Sequence, residues 1–171
     1  MIEKIEKKYK GWLDVDNVQV NKKGKIVNYE VVNKKSAVAA VVYDTVKQKY
    51  IFVKQWRVGS SSDIIELVAG LLDKTNEDPR EAMKREILEE IGYETDSIKM
   101  LDECYTSPGG TNEMVTIYYC EVSKQVAEGG GLEEESEEIE IVELSREEVI
   151  ATRFMDAKTI IGVLYIKNNM L

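Results

Sequence analysis

AGLLDKTNEDPREAMKREILEEIGY, residues 69–93, reads as a glycine-marked loop leading into a helix that carries a cluster of carboxylates. Asp78 suits the N-cap, Pro79 suits the first helical position where no amide donor is needed, and Glu81, three residues past the cap, completes a capping box. The helix is therefore expected to begin at Pro79. Gly92 follows the last periodic residue and is placed to end it in a left-handed conformation. At about 100° per residue, Met83, Ile87 and Ile91 fall on one face, while Ala82, Glu86, Glu89 and Glu90 share another.

Three carboxylates on one arc repel each other, each pair at a cost of a few tenths of a kcal/mol. A solvated acidic face is one reading of this crowding, and a bound cation that neutralises it is the other. The chain has no histidine and only two cysteines, so the ligands on offer are oxygen donors, which suit Mg²⁺ or Mn²⁺ rather than zinc.

The segment resembles the Nudix box: Gly, five residues, Glu, seven residues, Arg-Glu, an aliphatic, any residue, Glu-Glu, any residue, Gly, then an apolar position. Glu77, Arg85-Glu86-Ile87, Glu89-Glu90 and Gly92-Tyr93 satisfy the latter part without a gap. Gly70 departs from it, preceding Glu77 with six intervening residues and implying a one-residue insertion near Lys74–Asn76. The resemblance implies an α/β fold of the Nudix type, an α/β/α sandwich around a mixed sheet. It also implies metal ligation by Glu86, Glu89, Glu90 and the Ala69 carbonyl, with Glu89 counted among the catalytic carboxylates. Arg85 is expected to pair with a box carboxylate such as Glu77.

The 171 residues, 43% hydrophobic, suffice for one ordinary domain with an appendage. We expect an amino-terminal β-hairpin region over residues 1–35 and the Nudix domain over 36–171. No apolar run approaches membrane-spanning length, and the start MIEKIEKKYK lacks a signal-peptide core, so a cytoplasmic protein without a membrane partner is expected. Cys104 and Cys120 lie in strand-like surroundings and read as reduced thiols.

The net charge of −9 is uneven, since residues 1–50 hold 11 Lys against 6 acids and the remainder is strongly acidic. That balance argues against a nucleic-acid partner, which requires several phosphate-neutralising side chains on one surface. It also suits a basic amino-terminal segment packing on an acidic partner copy, and the family resemblance implies a homodimer with exchanged amino-terminal hairpins.

Along the chain, Trp12–Val20 and Lys25–Val32 alternate apolar and polar residues about a Lys23-Gly24 turn and read as a hairpin. Ser36–Tyr43 and Tyr50–Trp56 are further strands, the first apolar on both faces and therefore interior. Gln55 and Arg57 share one side of the second strand. Ile64–Gly70 reads as one strand entering the box, Ile98–Tyr105 as another, and Met114–Val122 as a central strand. Ile139–Leu144 is the last strand expected. Ser145 caps a short helix through Phe154, and Asp156 caps a final helix whose Ile160, Ile161, Leu164 and Tyr165 are expected to face the core.

The resemblance is to the ADP-ribose and nucleotide-sugar branch of the family, with loops nearest to the GDP-mannose type. It implies substrate contacts from Gln55, Arg57 and Glu66, the last also a candidate base. The loop SPGGTNE, residues 107–113, resembles that branch's substrate loop and makes Glu113 a further contact; the alternative reading is a plain type II turn. Residues 128–148 hold ten Glu behind three glycines. On composition this is an acidic loop without a task. The resemblance makes it the source of the base, Glu135 first and Glu137 second. The activity implied is Mg²⁺-dependent hydrolysis of the pyrophosphate bond of a nucleoside diphosphate sugar such as GDP-mannose or ADP-ribose. The alternatives are a non-catalytic nucleotide-sugar binding module and a dinucleoside polyphosphate or capped-RNA hydrolase.

Overall fold

The computed structural model describes residues 1–72, 74, 76–131 and 138–169. Three strands come first: β1 (Ile2–Lys10), β2 (Asp14–Lys22) and β3 (Lys25–Asn33), paired antiparallel in the order β1-β2-β3. Lys23 and Gly24 both have positive φ, 53° and 83°, the conformation a primed two-residue hairpin turn requires. The lysine-rich start adds a third strand to the expected hairpin, so the appendage is a small sheet. Its lysines sit on an edge, where charge discourages further pairing.

The main sheet follows: β4 (Ala37–Asp44), β5 (Lys49–Arg57), β6 (Ser62–Glu66), β7 (Val68–Leu71), β8 (Tyr93–Tyr105), β9 (Met114–Gln125) and β10 (Glu140–Leu144). Its order is β10-β5-β4-β9-β8, with β6 on β5 and β7 on β4. β4 and β9 run parallel and the other pairs antiparallel, so the sheet is mixed. Helices α1 (Pro79–Ile91), α2 (Arg146–Ala151) and α3 (Ala157–Asn168) cover it.

Strand alternation divides the core in two. Val38, Ala40 and Val42 of β4 join Ile51 and Val53 of β5 and Tyr118 and Cys120 of β9 beneath Met83, Ile87 and Ile91 of α1. Ala39, Val41, Tyr50, Phe52 and Ile117 turn to the opposite face, against Val149 of α2 and Val163 and Ile166 of α3. The molecule is thus the α/β/α sandwich expected, with β4 interior as its two-faced apolarity required and β9 beside it as its β-branched and aromatic composition implied. None of the described helices is long and apolar enough to cross a membrane.

Several local expectations are corrected. Asp78 accepts from Arg80 N–H, but Glu81 pairs with Lys84 at 2.8 Å instead of closing a capping box. The box does form at α2, where Ser145 and Glu148 bond reciprocally, and that helix ends at Ala151 rather than running to Phe154. Ile64–Gly70 is two strands: Glu66 pairs with β5, Val68 with β4, and between them Leu67 gives its N–H to Thr159 Oγ1 of α3 at 2.9 Å. The inward face of α3 is Thr159, Gly162, Val163 and Ile166, while Ile160, Ile161 and Leu164 lie outward. The physical reason is Gly162. A Cβ there would lie 2.7 Å from Val41 and 3.0 Å from Leu67, so the backbone of α3 lies against the sheet at that turn and sets the rotation of the helix.

Candidate active site

The site is built on α1. Gly92 caps it with φ 75°, its N–H bonded to Leu88 O, and a Cβ at this position would collide with Ala127 O at 2.1 Å. The final carbonyls of the helix meet the glycine run: Gly130 N–H donates to Glu90 O at 2.8 Å and Gly131 N–H to Glu89 O at 3.3 Å. These glycines carry positive φ, so they form the anchor of the acidic segment on the end of α1. Glu135 and Glu137 lie outside the described residues.

Glu90 is 2% exposed, and its Oε2 accepts the Ala69 N–H at 3.2 Å, tying β7 to α1. Gly70 lets the next carboxylate lie against the strand, because a Cβ there would sit 1.9 Å from Glu86 Cδ. The extra residue between Gly70 and Glu77 therefore leaves Gly70 packed on the helix. Arg85 organises the rest. Its Nε and Nη2 reach Glu77 at 3.2 and 3.4 Å, and its Nη1 stands 2.7 Å from Glu86 Oε1 and 2.8 Å from Glu89 Oε2. Burial works against that charge, but the Glu77 bond, the Glu86 charge and the Glu89 bond outweigh it and hold Arg85 firmly protonated.

Glu86 and Glu89 each place a carboxylate oxygen within 2.8 Å of Arg85 Nη1, so the two already share one cationic partner. The oxygen-only donor set thus fits a hard divalent ion in kind. As arranged, no three acidic or thiol side chains among the described residues surround a single point closely enough to hold a metal unaided.

In the same cleft, Glu66 is 3% exposed and is gripped by two cations. Arg57 donates Nε to Oε1 at 2.7 Å and Nη2 to Oε2 at 3.0 Å, and Lys158 Nζ reaches Oε2 at 2.5 Å. Burial raises the Glu66 pKa, but Arg57 and Lys158 more than reverse this and hold it below the usual carboxylate range. A carboxylate so engaged is poorly suited to accept a proton near neutral pH. Its two oxygens pair Arg57 and Lys158.

Glu113 is similarly committed, with Oε1 2.5 Å from Lys34 Nζ and Oε2 2.6 Å from Thr106 Oγ1. Burial raises its pKa, yet Lys34 and Thr106 leave it lowered. The loop before it turns through a Gly110 N–H to Ser107 O bond of 3.1 Å, and Gly109 lacks the positive φ of a type II turn. The loop also docks the small sheet. Val32 N–H bonds Gly110 O at 2.9 Å, Lys34 N–H bonds Asn112 Oδ1 at 2.8 Å, and Asn112 Nδ2 bonds Asn33 Oδ1 at 3.1 Å.

Gln55, Arg57, Glu66, Ala69, Glu86, Glu89, Glu90 and Glu113 all line a single cleft of about 1070 Å³, and its rim is completed by Trp12, Leu13, Lys34 and Lys35 of the amino-terminal sheet and its connection. A shallower depression of about 510 Å³, lined by Lys54, Trp56, Asp63 and Glu138, adjoins it at Gln55. Lys34 and Lys158 carry no recognisable signal in the sequence. Asp156 and Thr159 around Lys158 read only as a helix start, and Lys34 as one of many amino-terminal lysines.

A family model described as NUDIX domain matches residues 33–161. The GDP-mannose pyrophosphatases of Citrobacter koseri and of Escherichia coli strain K12 are each 31% identical over 164 residues, covering 88% of this chain and 84% of the relative. A crystal structure of an ADP compounds hydrolase superposes with a TM-score of 0.80 at 20% identity, covering 98% of this chain and 91% of its own, a likeness of fold.

Proposed function

The chain belongs to the NUDIX family of hydrolases, and on that premise we propose that it hydrolyses the pyrophosphate bond of a nucleoside diphosphate sugar, GDP-mannose or ADP-ribose, to a nucleoside monophosphate and a sugar phosphate. The observation that carries this reading is the shared cleft: Glu86, Glu89, Glu90 and Arg57 all line one cavity of about 1070 Å³, which has room for a nucleotide sugar. The relatives named GDP-mannose pyrophosphatase favour that substrate.

Glu86, Glu89 and Glu90, with the Ala69 carbonyl, would hold Mg²⁺ or Mn²⁺. When bound, the metal supplies neutralisation of phosphate charge and a lowered pKa for a bound water. The protein's own contribution is positional. Arg85 holds Glu86 and Glu89 side by side, Gly70 leaves space for the Glu86 carboxylate, and the Glu90–Ala69 bond fixes the strand peptide against the helix. Arg57, gripped by Glu66 along its Nε–Nη2 edge, has Nη1 remaining for a phosphate or ribose oxygen. Glu135, or failing it Glu137, is the proposed base. Incubating the protein and Mg²⁺ with a panel of nucleotide sugars and identifying both products tests the reading; absence of turnover on every member would refute it.

The proposal extends to a homodimer through the amino-terminal sheet. Ile2, Ile5, Tyr9, Trp12, Ile26 and Tyr29 are exposed there, on the basic third of an otherwise acidic chain. Light scattering decides it, a monomeric mass being the contrary result.

A further inference from the structure

Glu89 and Glu90 stand in the last turn of α1, at the negative end of the helix dipole, where carboxylates are disfavoured. That turn has no basic residue of its own to offset them. What meets it instead is the chain that leaves β9. Every backbone carbonyl from Leu88 to Gly92 accepts a hydrogen bond, and all but the Leu88 bond, which Gly92 supplies, come from residues 125–131. Gly131 N–H donates to Glu89 O at 3.3 Å and Gly130 N–H to Glu90 O at 2.8 Å. Gln125 Nε2 donates to Ile91 O at 3.3 Å, and the amides of Val126 and Ala127 to Gly92 O at 2.7 and 3.1 Å. A helix end usually leaves its last carbonyls to water or to one or two capping amides. Here four consecutive peptides are held from outside.

The fit is backbone against backbone. A Cβ on Gly129 would stand 2.7 Å from both Glu90 O and Ile91 C, and one on Gly92 would stand 2.1 Å from Ala127 O. Gly129 also has a φ of 73°, which L side chains rarely adopt. With no side chain between the two segments, a shift of one displaces the peptides that carry Glu89 and Glu90.

We propose that residues 125–131 are a positioning clasp for the divalent ion. By fixing the last turn of α1 they hold the Glu89 and Glu90 carboxylates ready to bind, and Gly129 is the residue on which the close approach depends. This rests on the metal reading proposed above but not on which nucleotide sugar is cleaved. By linkage, ion binding must strengthen the clasp as much as the clasp favours the ion.

The test titrates the full-length protein with Mn²⁺, without substrate, and counts free ion by electron paramagnetic resonance. Gly129→Ala is expected to raise the dissociation constant about tenfold or more, the usual cost of losing a group that orients metal ligands. Gly59→Ala, at a glycine whose added Cβ meets open space, should leave it unchanged. A variant that had merely lost folded protein would show fewer sites at wild-type affinity, and that result, like full wild-type binding, overturns the proposal. A second measurement avoids variants altogether. Amide exchange at Gly130 and Gly131 of the wild type should slow severalfold when Mg²⁺ is added, and an unchanged rate would be decisive against the clasp. A wild type that binds no Mn²⁺ removes the metal reading and the clasp together, whereas binding that Gly129→Ala shares removes the clasp alone, so the two failures are distinguishable.

Discussion

The molecule contains two sheets that obey different rules. In the amino-terminal sheet, β1 is exposed along nearly its whole length and no described helix covers it. In the central sheet, β4 is buried through five consecutive residues and sandwiched between helices. Both are hydrogen-bonded ladders, yet only the second removes substantial apolar area from water. Backbone pairing contributes little net stability once water is accounted for, so the small sheet depends on its neighbours and the large one carries the fold. The join between them is the SPGGTNE loop, and it lies at the rim of the cleft.

The comparison can be broken most forcefully in the core. Phe52→Ala removes a ring 1% exposed and stacked on Phe154 at 5.1 Å, and should cost about 3–5 kcal/mol in denaturant unfolding. If the helix packed on the central sheet serves the chemistry, Glu86→Gln should lower kcat by about 10²–10³-fold while leaving the unfolding curve nearly unchanged. Gly162→Ala forces a methyl into contact with Val41 and Leu67 and should destabilise by about 1–3 kcal/mol, read from the thermal midpoint. At the join, Asn112→Ala should cost about 1–2 kcal/mol and speed amide exchange at Lys34, with exchange at the buried residues of β4 unaltered. Smallest of all, Ile5→Ala, at a residue 58% exposed, should change monomer stability by less than about 0.5 kcal/mol. A clear shift in oligomer mass for this variant would sharpen the comparison, showing that a second copy covers the small sheet.

Legibility in the sequence followed the range of the interactions. Asp78, Pro79 and Gly92 bounded α1 because caps and turns act within a few residues, and the Lys23-Gly24 turn was readable for the same reason. The two-faced apolarity of β4 announced an interior strand. The rotation of α3 was misread because its apolar residues surround the helix, and the choice among them rests on the approach of Gly162 to Val41, more than a hundred residues earlier in the chain. The break at Leu67 was hidden likewise, since the hydroxyl that stabilises it belongs to Thr159. Glu66 and Glu113 offered carboxylates, and nothing local revealed that Arg57, Lys158 and Lys34 would engage them.

The sequence by itself determined the acidic face of α1, the interior strands of the central sheet and the residue types available to a divalent cation, because periodicity, capping and donor chemistry are local properties. Only the tertiary structure decided which cations share a cleft with that face, which side of α3 meets the sheet, and that the amino-terminal sheet reaches the cleft. Those outcomes depend on contacts between segments distant in the chain, where a single close approach or a shared oxygen selects among arrangements that local preference leaves equal.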